Sequence, residues 1–159
     1  MKAKVESWHR FWSLSAHSRS LVVEAAVALT ATWIGLRVAG YRRWRRILDK
    51  LAPETIERTC AGDPVALGSA QAIARFEQSA ARHLFLRTNC LEQALVLCWL
   101  LRRRGIEAEM RMGARKDDGR FEAHAWVEFG GTVLNDALGQ HRHFTRFEGT
   151  VIYLEIQTP

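Results

Sequence analysis

The apolar residues of this chain recur at three- and four-residue steps as far as Gly105, and at every second position after it. That change of period limits the fold more than any other feature. Before it, the reading is helical. Ser18 or Ser20 caps a helix running to about Ala39, Gly40 stops it, and an Arg-rich helix continues to about Leu51. Pro53 and Gly62 mark a connection. Asp63-Pro64 then pairs a capping oxygen with a proline whose missing N–H costs nothing at the first helical position. The helix it opens extends to about Arg82, with Leu67, Ala70, Ala74, Phe76 and Ala81 on its buried side. Asn89 and Glu92 form a capping-box pattern that places Cys90 at the first position of the next helix. Leu91, Ala94, Leu95, Cys98 and Leu101 are its apolar stripe, and Arg102, Arg103 and Arg104 suit the negative end of its dipole.

Beyond Gly105, Ala108, Met110 and Met112 alternate with Glu107, Glu109 and Arg111 as in a half-buried strand. Lys116-Asp117-Asp118-Gly119 reads as a hairpin loop, residues 121–129 as a strand, Gly130-Gly131 as a tight turn and residues 132–136 as a third strand. A last strand is expected over residues 150–156. Helices first and an antiparallel sheet after describe an α+β domain, with a basic helical region at 1–62 and a core at 63–159.

At 159 residues the chain suits one domain with a genuine core. Its three cysteines, an odd number without a CxxC pair, argue against a disulfide framework or a cysteine-rich zinc site and point to a reducing cytoplasm. The net charge of +6 is uneven: residues 1–50 hold ten Lys/Arg against three acids, and the remainder thirteen against fourteen. Such a basic region suits an acidic partner surface, lipid headgroups or plain solvation. No nucleic-acid-binding module accompanies it, so no nucleic-acid partner is expected. Residues 21–40 resemble a membrane span, but Glu24 and Arg37 leave a charge-free run of only twelve residues, against the roughly 20 that spanning requires. This segment reads as a core or interface helix, with peripheral membrane contact the lesser alternative.

The chemistry lies in Cys90, His124 and Asp136. A free thiol, with a pKa of about 8.5, is a poor nucleophile at neutral pH, and a helix N-terminus favours its thiolate and offers amides to an oxyanion. Cys98 reads as a small buried hydrophobe, and Cys60 falls in a connection. His124 stands between Ala123 and Ala125, small neighbours that leave space for an imidazole. Its orienting partner depends on register. A two-residue Gly130-Gly131 loop turns Asp136 to the other face and favours Asn135, whereas a loop that includes Phe129 sets Asp136 opposite His124. The rival chemistry is a metal held by His141 and His143 on one strand face, with His124 or Asp136. An HxH pair alone is weak, no usual zinc spacing accompanies it, and no metal or other cofactor is expected. Phosphate-binding loops are absent.

The run NCLEQALVLCWLLRRRGIEAEMRMGARK, the segment GRFEAHAWVEFGGTVLND and the helical lead-in RSLVVEAAVALTATWIGLRVAGYRRWRRIL together resemble the leader peptidase of lasso-peptide biosynthesis. This is the B2 protein, or the C-terminal part of a fused B protein. The resemblance implies a transglutaminase-like, papain-related core with the nucleophile helix packed on an antiparallel sheet. It implies Cys90 as nucleophile, His124 as general base and then acid, and Asp136 as orienter, with Asn89 beside the oxyanion. It further implies a lasso precursor's leader peptide as substrate, a separate B1-type recognition protein as partner, and delivery to an ATP-dependent lasso cyclase. The basic N-terminal region is then a docking surface for the recognition protein. A subsite for threonine is also implied, with Trp126 and Phe121 as lining or core residues. Two alternatives stay open: another thiol acyl-transfer enzyme of amidase or transglutaminase type, and a non-catalytic interaction protein on the same fold.

Overall fold

The structure, a computed structural model, describes residues 15–52, 63–117, 119–136 and 139–147. Helix α1 (Ala16–Leu51) begins one turn earlier than the sequence suggested, because the Ser15 hydroxyl accepts from the Ser18 N–H at 3.1 Å. It breaks at Gly40, as expected, where φ 73° and ψ 166° lie in a region open essentially to glycine. The break turns the Arg-rich arm back, so that the Trp44 indole lies against Gly35 and donates to the Thr32 hydroxyl at 3.2 Å. A Cβ at Gly35 would run into that indole ring.

Helix α2 (Pro64–His83) starts on its predicted cap, with Asp63 Oδ1 accepting from the Val65 N–H at 2.9 Å. Its buried face is rotated from the expected one. Ala66, Ala70, Ile73, Ala74, Glu77 and Ala80 are buried, whereas Leu67, Phe76 and Ala81 are only half-buried at its margins. A carboxylate within the stripe disguised it. Helix α3 (Cys90–Arg102) has both halves of the capping box. It ends where Ile106 N–H bonds the Leu101 carbonyl and Gly105, at φ 73°, bonds that of Arg102.

The two charges that interrupt the apolar stretch of α1 are ties to α3. Glu24 holds Arg103 at 2.7 Å and Arg104 at 2.6 Å, beyond the C-terminal end of α3, while Arg37 meets Glu92 at 3.0 Å in its first turn. Positions 24 to 37 therefore run antiparallel to 104 to 92, two spans of matching helical length. Asp49 of the folded-back arm adds a contact to Arg102 at 2.5 Å. The solvent-accessible pairs of Glu24 and Asp49 contribute at most about 1 kcal/mol each, so their role is chiefly to fix alignment, whereas the Glu92 partner of Arg37 is buried. By length and composition alone α1 is apolar enough to cross a membrane, and 33% of its most apolar window is buried against the rest of the chain.

The sheet is antiparallel, in the order β3-β2-β1-β4. Strands β1 (Glu109–Asp117) and β2 (Arg120–Phe129) pair from Glu109↔Glu128 to Asp117↔Arg120. Strand β3 (Thr132–Val133) follows a two-residue turn whose glycines both have positive φ, 55° at Gly130 and 78° at Gly131. Strand β4 (Thr145–Arg146) reaches β1 across Gly113, where a Cβ would stand 2.8 Å from the Thr145 carbonyl oxygen. Alternation divides β2. Ala125, Val127 and Phe129 join the helical core, and His124, Trp126 and Glu128 occupy the opposite face.

Four further expectations need correction. Lys116 and Asp117 do not belong to the hairpin loop but continue β1, paired with Phe121 and Arg120. The third strand stops at Val133 rather than Asp136, because the Asn135 side chain takes over the ladder by accepting from the Val127 N–H at 2.8 Å. His141 and His143 lie in a 3₁₀ turn (Gln140–His143), not on a strand, after Gly139 turns the chain at φ 65°. Phe121 is 80% exposed near the hairpin tip beside Lys116 and does not pack in the core. The strand expected over 150–156, Cys60 and Asp118 lie outside the described residues.

Candidate active site

The candidate residues stand on three segments: Cys90 at the start of α3, His124 in the middle of β2 and Asp136 in the segment that follows β3. At the helix start, Asn89 Oδ1 accepts from the Glu92 N–H at 2.9 Å, and Glu92 Oε2 accepts from the Asn89 N–H at 2.8 Å. The first helical bond runs from Gln93 N–H to the Asn89 carbonyl at 3.1 Å. Three amides therefore precede helical pairing, and the cap uses that of Glu92. Those of Cys90 and Leu91 have no place in the helical ladder. Asn89 is committed to the cap through its side-chain oxygen, so only its Nδ2 is available to an oxyanion. Glu92 is buried and fixed by Arg37, which anchors this turn to α1. Cys90 itself is half-buried and carries a free thiol. Cys98, on the same helix, is a different case: burial pushes its thiol up to about 12, against the pull of Arg45 and Arg102. Such a group is inert as a nucleophile.

His124 stands on β2, on the face opposite Ala125, Val127 and Phe129, through which the strand joins the helical core. Its alanine neighbours point to the other face of the strand and make no room for the ring. The walls of the imidazole are Trp126, stacked at 5.9 Å between ring centroids and 23° between planes, and Phe144 at 5.2 Å. Trp126 is fully buried, and its indole N–H donates to Glu128 Oε1 at 2.7 Å. Arg146 binds the same oxygen at 2.5 Å and so fastens β4 over this face.

The structure brings His124 and Asp136 together, with Nε2 standing 3.8 Å from Oδ2. The loop is the two-glycine form, whose strict alternation pointed to Asn135. Because the strand ends at Val133, alternation no longer governs residues 134–136; Asn135 goes to the Val127 amide and Asp136 approaches the imidazole. Asp136 is also held by His141, whose backbone N–H and ring Nδ1 both reach Oδ2, the ring at 2.8 Å. Burial works to raise the Asp136 carboxyl. The hydrogen bonds from His141 and the Gln140 N–H, with the nearby His124, outweigh it and hold the group below the usual carboxylate range.

His141 is the residue the sequence reading placed wrongly. The sequence pairs it with His143 as a candidate metal ligand, but His143 is exposed and His141 turns inward against Asp136 and Trp126, 5.8 Å between ring centroids in the latter case. Among the described residues, no group of three or more His, Cys, Asp or Glu side chains is arranged to hold a metal ion. Phe144 and Arg146 were not singled out either, since nothing local marks a residue that arrives from a distant turn.

A half-buried imidazole beside an ionised carboxylate can accept a proton and hold the resulting charge, which is the general-base half of thiol acyl-transfer chemistry. Neither a curated relative nor a solved structure matches the chain. A family model described as the transglutaminase-like superfamily matches residues 33–148, a span that includes the second half of α1, all of α2 and α3, and the sheet. That family generally contains cysteine proteases or transferases. With an α+β fold of helices on an antiparallel sheet, a cysteine opening a helix and a histidine–aspartate pair, the chain belongs to the transglutaminase-like superfamily.

Proposed function

We propose that this chain is a cysteine peptidase that removes the leader from a ribosomally made lasso-peptide precursor, with Cys90, His124 and Asp136 as its triad. The observation that carries the reading is the 3.8 Å approach of Asp136 to His124 in a transglutaminase-like chain whose Cys90 opens a helix. The sequence signatures around Cys90 and His124, together with the helical lead-in, narrow the reading from thiol acyl transfer to leader cleavage.

In this mechanism His124 takes the thiol proton, and the sulfur attacks the scissile carbonyl carbon. The oxyanion that forms is met by the N–H groups of Cys90 and Leu91, the two first-turn amides free of the cap and the helical ladder. Collapse breaks the C–N bond as His124 gives its proton to the leaving amine. The core peptide departs with a free amino terminus, and the leader remains as a thioester on Cys90. A water, deprotonated by His124, attacks that thioester, and the leader leaves with a carboxylate while the proton returns to sulfur. Asp136 steadies the imidazolium at each stage. The freed amine is what an ATP-dependent cyclase requires. A B1-type recognition protein presents the leader, and its docking falls to the basic folded-back arm that carries Arg42, Arg43, Arg45 and Arg46, of which Arg45 also binds Tyr41 and Asp49 within the arm.

The test is incubation with precursor peptide, with and without the recognition protein, read by mass spectrometry. Two fragments whose masses sum to precursor plus water support the peptidase. A single product of altered mass supports the transferase alternative that the family also allows. An unchanged precursor in both arms overturns the enzymatic reading.

A further inference from the structure

We propose that His141 is a positioning residue that shares Asp136 with His124 and thereby sets how readily His124 takes and releases its proton. The inference rests on the triad reading above and adds a fourth member to it. The key observation is competition for one oxygen. Asp136 Oδ2 accepts from the His141 backbone N–H and from its ring Nδ1, at 2.8 Å for the ring. A carboxylate oxygen has two good lone-pair directions, and both are taken by His141. His124 Nε2 is accordingly left 3.8 Å away, buried and, among the described residues, without a hydrogen-bond partner.

A buried unpartnered ring nitrogen costs free energy unless a later state satisfies it. Protonation of His124 supplies that state. The new Nε2–H charge draws Oδ2 toward it, and the His141 ring bond lengthens in exchange. The carboxylate thus stays ionised and correctly placed throughout, and its pull on His124 is moderated until the proton arrives. Both effects of losing the His141 ring have the same sign. One competitor for Oδ2 disappears, and any positive charge on that ring disappears with it, so His124 holds its proton more tightly.

The other charged groups around His124 remain in place. Glu128 shares its strand face and is bound by Arg146 of β4 and Arg111 of β1, and Arg115 of β1 lies over Phe144. None is altered by a change at position 141, so a comparison of variants isolates the ring.

The experiment is a proton NMR titration of the His124 ring signals in the full chain, assigned through His124→Gln, for the unsubstituted protein, His141→Phe and His141→Asn. Phenylalanine keeps the backbone N–H and the packing on Trp126 but removes the ring donor, whereas the asparagine amide can replace it. We expect His141→Phe to move the His124 midpoint upward by about half to one pH unit, and His141→Asn to return it toward the unsubstituted value. An unmoved midpoint in His141→Phe overturns the inference, and so does a shift that asparagine fails to reverse. Should the phenylalanine variant not fold, His141→Leu set against His141→Asn makes the same comparison. The titration needs no substrate. A chain that shows the shift but never cleaves precursor refutes the peptidase reading alone, and one that cleaves without the shift refutes the role of His141 alone.

Discussion

Glu77 sits in the buried stripe of α2 with no exposed surface, and neither of its carboxylate oxygens has a hydrogen-bond partner among the described residues. Burial pushes its pKa up to about 8 from 4.5, with Arg82 only partly opposing. The sign of the linkage is therefore the reverse of that for an ordinary salt-bridged acid. Below about pH 4.5 the carboxyl is protonated whether the chain is folded or not, and stability is full. Between that value and about 8 the unfolded chain releases its proton and the folded chain does not, so stability falls steadily. Each unit of separation is about 1.4 kcal/mol, and the full window therefore amounts to a few kcal/mol, up to about 5. Glu77→Gln removes the titration while keeping shape and size. Urea unfolding at intervals from pH 5 to 8.5 should give a variant whose stability relative to the unsubstituted chain climbs across the window. It should be level with it or slightly weaker at pH 5 and clearly stronger at pH 8.5, with an unchanged m value. Two parallel curves, a constant offset across that range, would refute the reasoning, because they would mean that Glu77 is ionised in the folded state throughout.

Three further outcomes are expected. Gly35→Ala forces a methyl into the Trp44 indole that folds the second arm of α1 back, and thermal unfolding should show a loss of about 1–3 kcal/mol. Glu92→Ala removes half of the capping box and leaves Arg37 without its partner; a stability loss of about 1–3 kcal/mol should accompany a fall in turnover, since Cys90 stands in the same helical turn. The depressed Asp136 carboxyl contributes stability that is present above its unfolded pKa and lost as pH falls through the folded one. Asp136→Asn should therefore flatten the acid limb of the stability curve while lowering cleavage at neutral pH, and an unchanged acid limb would remove the ion-paired role assigned to that carboxyl.

Elements whose signals are local were legible in the sequence. The Asp63-Pro64 start, the Asn89–Glu92 capping box and the Gly40 and Gly105 stops each depend on a few neighbouring residues, and each stands where those residues put it. Legibility failed where distant segments meet. The face of α2 was misjudged because Glu77 breaks its apolar pattern, although burial overrides the charge by raising its pKa. The third strand was drawn too long because nothing in Leu134-Asn135-Asp136 shows that an asparagine side chain will replace a backbone carbonyl in the ladder. The same failure explains the site: both registers assumed a continuing strand, and Asp136 approaches His124 only because the strand ends. His141 was visible as a residue but not as a partner, since the contact depends on a 3₁₀ turn that alternation cannot foresee.

The central claim is that one thiol in this chain is a nucleophile served by His124. Its most direct measurement is the rate of alkylation by a small electrophile at neutral pH, mapped to individual cysteines by peptide mass spectrometry. The account predicts that Cys90 is modified well ahead of Cys98, whose thiol burial holds at about 12, and that His124→Ala slows labelling of Cys90 by an order of magnitude or more. Equal labelling of Cys90 and Cys98, or a Cys90 rate indifferent to the loss of His124, would contradict it.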